Sequence, residues 1–518
     1  MIDHWKGKPA FASRGFYLHA CWQYRYPFAV RTWKLADYQN MFPFLRSLNF
    51  DRVMLWPMLE IAPAPLSSED KNHIADLHHV IECAKANQLE CWIVSSPNLS
   101  VTDEIRKIPI QQRHFYPYKK IFRFDDILQY NSFVEHLENL LSILNNANGY
   151  VFIDGDPGGY PGAKPDDFIK LFHSVRDILN RLGTDPENQK IIPWIWCGWG
   201  ADWEKEGPWK PDLSLYVPPV LRAFKENPPP EPWELLPGRS TAENWANGRK
   251  NFIFTENEGL IERSTLMLYE IIEYEPSPPA VTLQFNRIRR VFRDEIKYAN
   301  QARGVFGNGQ TPILSLPNLY YFARIAWNPE AIDIPDQQIL RDFANFLGGD
   351  PEILVPAWSC LSYDDVSIPD DLPIMLRNAE LTSEPAQYIP GSPRRYLDIL
   401  SDMVKTRLSV LHQCSEKPVT PKDTVNRIAN SIQALVDWWN VHQYVFSGET
   451  KNTFDWSFTS PFLLRPLVNF INENRPFDND IIRDTTRYLK DNAILPEHEI
   501  EPLLRPLFNG EVNAWFPE

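Results

Sequence analysis

The chain of 518 residues has no run of about 18 apolar residues, so a membrane-spanning helix is not expected. Its six cysteines (Cys21, Cys83, Cys91, Cys197, Cys360 and Cys414) are scattered and show no CxxC spacing. That pattern speaks against a disulfide framework or a zinc site and fits reduced thiols in a reducing compartment. The opening Met1-Ile2-Asp3-His4-Trp5-Lys6 lacks the apolar stretch of a signal peptide, and a cytoplasmic location is the expectation. A surplus of positive charge is missing too: 52 Lys and Arg stand against 67 Asp and Glu, for a net charge of −15. A negative surface argues against nucleic acid or an anionic membrane as partner. No internal repeat, low-complexity segment, Walker-type phosphate loop or nucleophile elbow around a Ser occurs. No cofactor and no metal are expected, and the sequence leaves the oligomeric state open.

What is present points to a folded enzyme-sized protein. Hydrophobic residues make up 43% and aromatics 13%, which argues against disorder. The length predicts two or three domains. The 18 Trp suit either a packed core or platforms for sugar rings.

Over the first 310 residues, strand-like and helix-like segments alternate. Strands are predicted at Gly15 to Ala20, Arg52 to Trp56, Glu90 to Ser95, Tyr150 to Ile153, Ile191 to Trp196, Leu213 to Val217, Asn251 to Thr255 and Gly304 to Phe306. Apolar residues at helical spacing lie between them, as in Phe168, Leu171, Phe172, Val175, Ile178 and Leu179. Eight such units predict an α/β fold of the (β/α)8 TIM-barrel kind. Beyond about residue 325 the pattern turns helical, at 336–347, 351–361, 393–413, 421–445, 461–474 and 480–492. The expected organisation is a barrel over 1–325 and an all-helical C-terminal domain over 326–518.

In a barrel, chemistry gathers at the C-terminal strand ends. Applied to this map, that rule selects His19, Trp56, Glu60, Ser96, Asp154, Asp156, Trp196, Trp199, Asp202, Glu256, Glu258, Asn308 and Gln310. The stretch Gly149-Tyr150-Val151-Phe152-Ile153-Asp154-Gly155-Asp156-Pro157-Gly158-Gly159 is the most informative, a buried strand running into a loop with two carboxylates. Acids, amides and indoles are what glycoside hydrolysis uses, with one carboxyl as acid and another as base or nucleophile. Asp156 is the first choice for general acid, Asp154 for its partner, and Glu256 for a base across the sugar. Arg14, His19, Trp56, Trp196, Trp199, Asp202, Glu258, Asn308 and Gln310 are the expected substrate-binding residues. Other uses exist for several of them. Asp154 and Asp156 suit an Asx turn or a hard-cation site. Glu256 and Glu258 suit solvated loop charges, Trp199 suits the core, and Arg14 suits a pair with a buried carboxylate.

Two families share short segments with this chain. Arg14-Gly15-Phe16 resembles the opening strand of β-N-acetylhexosaminidase barrels. The fourth strand of those barrels ends in two adjacent acids, whereas here Gly155 separates them. Asp156-Pro157-Gly158-Gly159-Tyr160-Pro161-Gly162 resembles the fourth-strand loop of microbial α-glucuronidases, with Gly158 where their acid Glu stands. Tyr321-Phe322-Ala323-Arg324-Ile325-Ala326-Trp327-Asn328-Pro329-Glu330 resembles their junction to a helical domain. The resemblance, over roughly residues 14–350, implies an exo-acting glycosidase with a carbohydrate substrate. The rival readings are a non-catalytic glycan-binding barrel and a metal-dependent barrel hydrolase using Asp154, Asp156 and a His.

Overall fold

The computed structural model describes residues 7–20, 25–96, 99–114, 118–121, 123–155, 160–195, 198–206, 213–240, 259–269, 271–273, 281–363, 366–442, 461–474 and 479–510. Eight parallel strands close into a barrel: β1 (Ser13–His19), β2 (Arg52–Trp56), β3 (Glu90–Ser95), β6 (Gly149–Ile153), β7 (Lys190–Ile195), β8 (Leu236–Ser240), β9 (Thr265–Tyr269) and β10 (Gly304–Gly309). The short β4 (Leu99–Val101) and β5 (Lys119–Ile121) pair antiparallel outside it. Closure runs through β1, which pairs with β2 on one side and β10 on the other.

Alternation along each strand splits the core in two. Tyr17, Met54, Trp92, Val151, Ile192, Trp194, Leu236, Met267 and Phe306 fill the interior. Their strand neighbours, such as Leu18, Val53, Ile93, Phe152 and Val305, pack outward against the helices. The rings of Phe306 and Trp92 fit because two inward positions are glycine. A Cβ on Gly15 would lie 2.1 Å from Phe306, and one on Gly149 2.8 Å from Trp92 and 2.5 Å from Ile192.

Two expected strands are corrected. Leu213 to Val217 belongs to a helix, Leu213–Glu226, whose Val217, Val220, Leu221 and Phe224 are buried. Pro218 and Pro219 lie inside this helix, and they end a strand reading without stopping a helix. The sixth barrel strand is β8, in which Pro237 and Gly238 hide the strand pattern. Asn251 to Thr255 lies outside the described residues, and β9 fills the seventh place in the barrel.

From Leu316 onward the described chain is helical. It includes Leu316–Trp327, Asp336–Phe346, Pro351–Cys360, Pro393–Cys414, Pro421–His442, Pro461–Glu473 and Asn479–Asp491. An additional helix, Glu497–Asn509, carries Pro502 and Pro506, which mask it in the sequence. The expected division at 325/326 falls in the last turn of Leu316–Trp327, and the apolar core continues across it. Tyr320 packs on Phe343 and Phe346, and Phe44 packs on Phe346.

Candidate active site

The two ends of the barrel differ in chemistry. At the N-terminal end, Arg52 pairs with Glu90 at 3.1 Å and with the fully buried Glu234 at 2.8 Å, and Lys190 pairs with both acids. Arg52 and Lys190 also lie over the Trp92 ring. Arg14 sits at this same end. It is held by Asp51 at 3.2 Å and by the carbonyls of Phe11 and Asn49, with its guanidinium against Trp327. The expected substrate role for Arg14 is therefore corrected. It begins β1 rather than ending it, and it takes the structural partner that the sequence left open.

At the C-terminal end the buried polar groups described below are not held by ion pairs. His19 ends β1 on the inward face, stacked on Trp56 at 4.9 Å and beside Tyr17 at 5.4 Å. It is buried, and burial lowers its pKa to about 3, so the imidazole is neutral. Neither ring nitrogen has a hydrogen-bond partner among the described residues. One strand away, Asn308 on β10 lies in register with Tyr17 and is equally buried. Both polar atoms of its amide also lack a partner among the described residues. Buried polar groups are nearly always paired, so two open ones side by side at a barrel mouth mark a place shaped for a ligand.

Three buried carboxylates rim the same end, and each accepts backbone N–H groups from the next strand of the barrel. Glu60, after β2, accepts from Ser96 at the end of β3 and from the Trp56 indole at 3.1 Å. Asp154, after β6, accepts from Gly198 beyond β7 at 2.9 Å. Glu273, after β9, accepts from Gln310 and Thr311 beyond β10, with the Thr311 hydroxyl at 2.7 Å. Burial raises the pKa of Glu60 and of Glu273 against the pull of these donors. The carboxylates thereby fix the loops that carry the mouth residues, Gln310 among them.

Sequence reasoning did not single out Glu273, because it assigned the seventh strand to 251–255. The signal was there in Leu266-Met267-Leu268, an unbroken apolar run ahead of an acid-rich loop. The same shift removes the strand-end argument for Glu256 and Glu258, which belong to the connection between β8 and β9. Glu256, Glu258, Asp156 and Trp196 lie outside the described residues. Gly155, which follows Asp154, has φ 125°, in the region that favours glycine.

One further expectation, for Trp199, is corrected. Trp199 is a core residue: it stacks on Phe168 at 4.1 Å and 5°, packs on Tyr160, and donates its indole N–H to the Lys164 carbonyl. Asp202 precedes the short helix Trp203–Glu206 and is engaged there by the Lys205 ammonium at 2.8 Å. Among the described residues, no three His, Cys, Asp or Glu side chains are placed to hold a metal ion. No described helix is long and apolar enough to cross a membrane.

No protein-family model matches the chain, and no curated protein matches it in sequence. Solved structures similar to it include glycoside hydrolases. One is a GH138 enzyme described as targeting pectin rhamnogalacturonan II, with TM-score 0.47 and 10% identity over 90% of this chain and 68% of that one. A second is an O-GlcNAc hydrolase of Thermobaculum terrenum, with TM-score 0.40 and 11% identity over 98% and 94%. A third is the N-acetyl-β-hexosaminidase of Streptomyces plicatus, with TM-score 0.41 and 10% identity over 70% and 71%. The chain's own strand register establishes the barrel, and its mouth residues carry the argument for activity.

Proposed function

We propose that the chain is a glycoside hydrolase whose sugar sits in the barrel mouth against His19, Trp56 and Asn308. One observation supports this most strongly: the uncharged imidazole and the amide, both buried and both without partners among the described residues. A neutral imidazole offers one donor and one acceptor, and an amide offers two donors and an acceptor, which is the complement of a set of sugar hydroxyls. Trp56 supplies an apolar edge beside them. The exo mode of action comes from the resemblance alone.

In this reading Asp156 protonates the glycosidic oxygen as the bond to the anomeric carbon breaks, and a second carboxylate supports the oxocarbenium-like state. Asp154 holds the β6 and β7 loops together and sets the position from which Asp156 acts. Glu256 remains a candidate base in the β8–β9 connection. A panel of nitrophenyl glycosides tests the assignment. Acid catalysis typically contributes about 10²–10⁴-fold, so Asp156→Ala should cost turnover on that scale. Unchanged turnover would remove Asp156 from the mechanism. Binding of sugars by calorimetry with no turnover of any glycoside would favour the glycan-binding barrel instead.

A further inference from the structure

Away from the barrel mouth, a cavity of about 600 Å³ opens on the flank of the barrel beneath the β4–β5 hairpin. Its apolar wall comes from Leu59, Ala62, Val101, Phe133, Leu137 and Leu140, the last three on the helix Ile127–Leu141. At its rim Leu128 is 74% exposed, and the adjoining Ile127 is 56% exposed. Such side chains at the mouth of an apolar pocket extend its greasy wall into solvent. Polar side chains share the wall, among them Asp103, Lys120, Gln129 and Ser132. Glu60 and Ser96 lie where the pocket meets the barrel end, and His136 lies on the helix with a buried Nδ1 that has no partner among the described residues.

The roof is anchored before any ligand arrives. Arg113, 1% exposed, binds the fully buried Asp70 on the helix Ser68–Ala86, and Arg106 binds Asp70 at 3.0 Å. These pairs hold residues 106–113, between β4 and β5, against the helix Ser68–Ala86, so that side of the volume is preformed. A preformed cavity within about 300–1,000 Å³ that sets an apolar wall against polar groups has the size and make-up of a small-molecule site.

We propose that this pocket binds an apolar, ring-bearing group of about two fused rings, with its one polar edge at His136 or Glu60. Glu60 also receives the indole N–H of Trp56, which stacks on His19, so the pocket adjoins the sugar position through a single side chain. Two sources would supply this chemistry: the aglycone of a glycoside whose sugar occupies the mouth, or a separate small molecule. The aglycone source rests on the hydrolase reading, whereas the pocket itself does not.

The test uses the full-length protein and the neutral naphthalene probe 6-propionyl-2-(dimethylamino)naphthalene, read by its emission shift. Saturable binding is expected. Ser132→Trp, at an exposed position on the pocket's rim, should weaken it at least about tenfold, and Ser132→Ala should leave it unchanged. Leu128→Ala should weaken it severalfold and serves if the Trp variant folds poorly. Competition between the probe and a naphthyl glycoside, but not the methyl glycoside of the same sugar, identifies the aglycone as occupant. Probe binding without competition identifies a separate ligand, and it stands even if no glycoside is turned over. Absent saturable binding, or binding unaffected by both Ser132→Trp and Leu128→Ala, would overturn the proposal.

Discussion

The two ends of this barrel bury polar groups in opposite ways. At the N-terminal end a cluster of buried charges is met by counter-charges: Arg52 lies between Glu90 and Glu234, Lys190 bridges the same acids, and Thr265 donates to Glu234. At the C-terminal end the carboxylates of Glu60, Asp154 and Glu273 are met by backbone N–H groups, while His19 and Asn308 are left open. A closed network fixes a structure and asks nothing further of its surroundings. An open set of buried donors and acceptors costs stability until something enters to complete it. The first end is built for the fold, and the second for a ligand.

Removing one acid from the closed end should break that contrast most visibly. Glu234→Ala leaves Arg52 and Lys190 short of a buried partner, and breaking a buried pair this way costs about 3–5 kcal/mol. The midpoint of urea unfolding reads the loss. If Glu234→Ala unfolds within about 0.5 kcal/mol of wild type, the N-terminal network is not what holds the barrel closed.

How much of this was legible in the sequence depends on the signal each element carries. Strands β1, β2, β3, β6 and β7 are apolar runs with clear ends, and His19, Trp56 and Asp154 follow from them directly. β8 was hidden because Pro237 and Gly238 interrupt it, and its place in the barrel comes from neighbours rather than propensity. β9 was missed in favour of Asn251 to Thr255, and Glu273 was lost with it. Errors of this kind pass straight into the site, since a strand placed 14 residues early overlooks the acid that follows the true one, Glu273. Trp199 and Arg14 show a different limit. Residue type alone does not separate a sugar platform from a core indole, or a substrate anchor from a structural cation. The neighbours decide, here Phe168 and Tyr160 in one case and Asp51 in the other.

The open end makes the reverse prediction. Asn308→Leu replaces an amide with no described partner by an apolar group of similar size. Relieving an unmet buried polar group is worth about 1–3 kcal/mol, so the variant should unfold at higher urea than wild type while losing affinity for sugar. Stability and binding would then move in opposite directions, which a purely structural asparagine would not allow. Loss of stability in Asn308→Leu would show that the amide serves the fold, and the distinction between the two ends would fail at that residue.

The finest test of the contrast is the pH dependence contributed by His19. Burial lowers its folded pKa to about 3, against 6.5 for an ordinary histidine. Between those values the unfolded chain binds a proton that the folded chain refuses, so this residue makes stability rise with pH across the window and fall as pH drops from about 6.5. Glu60 and Glu273, whose pKa values burial raises from 4.5, push the other way above that pH and do so in wild type and variant alike. His114 shares the direction of His19 and remains as background. Comparing wild type with His19→Gln between pH 6 and pH 5 isolates the one proton, worth at most about 1.4 kcal/mol per pH unit. The variant should lose that share of the slope. If the two slopes coincide, His19 already has a charge-stabilising partner, and it does not belong to the open set of groups that the ligand completes.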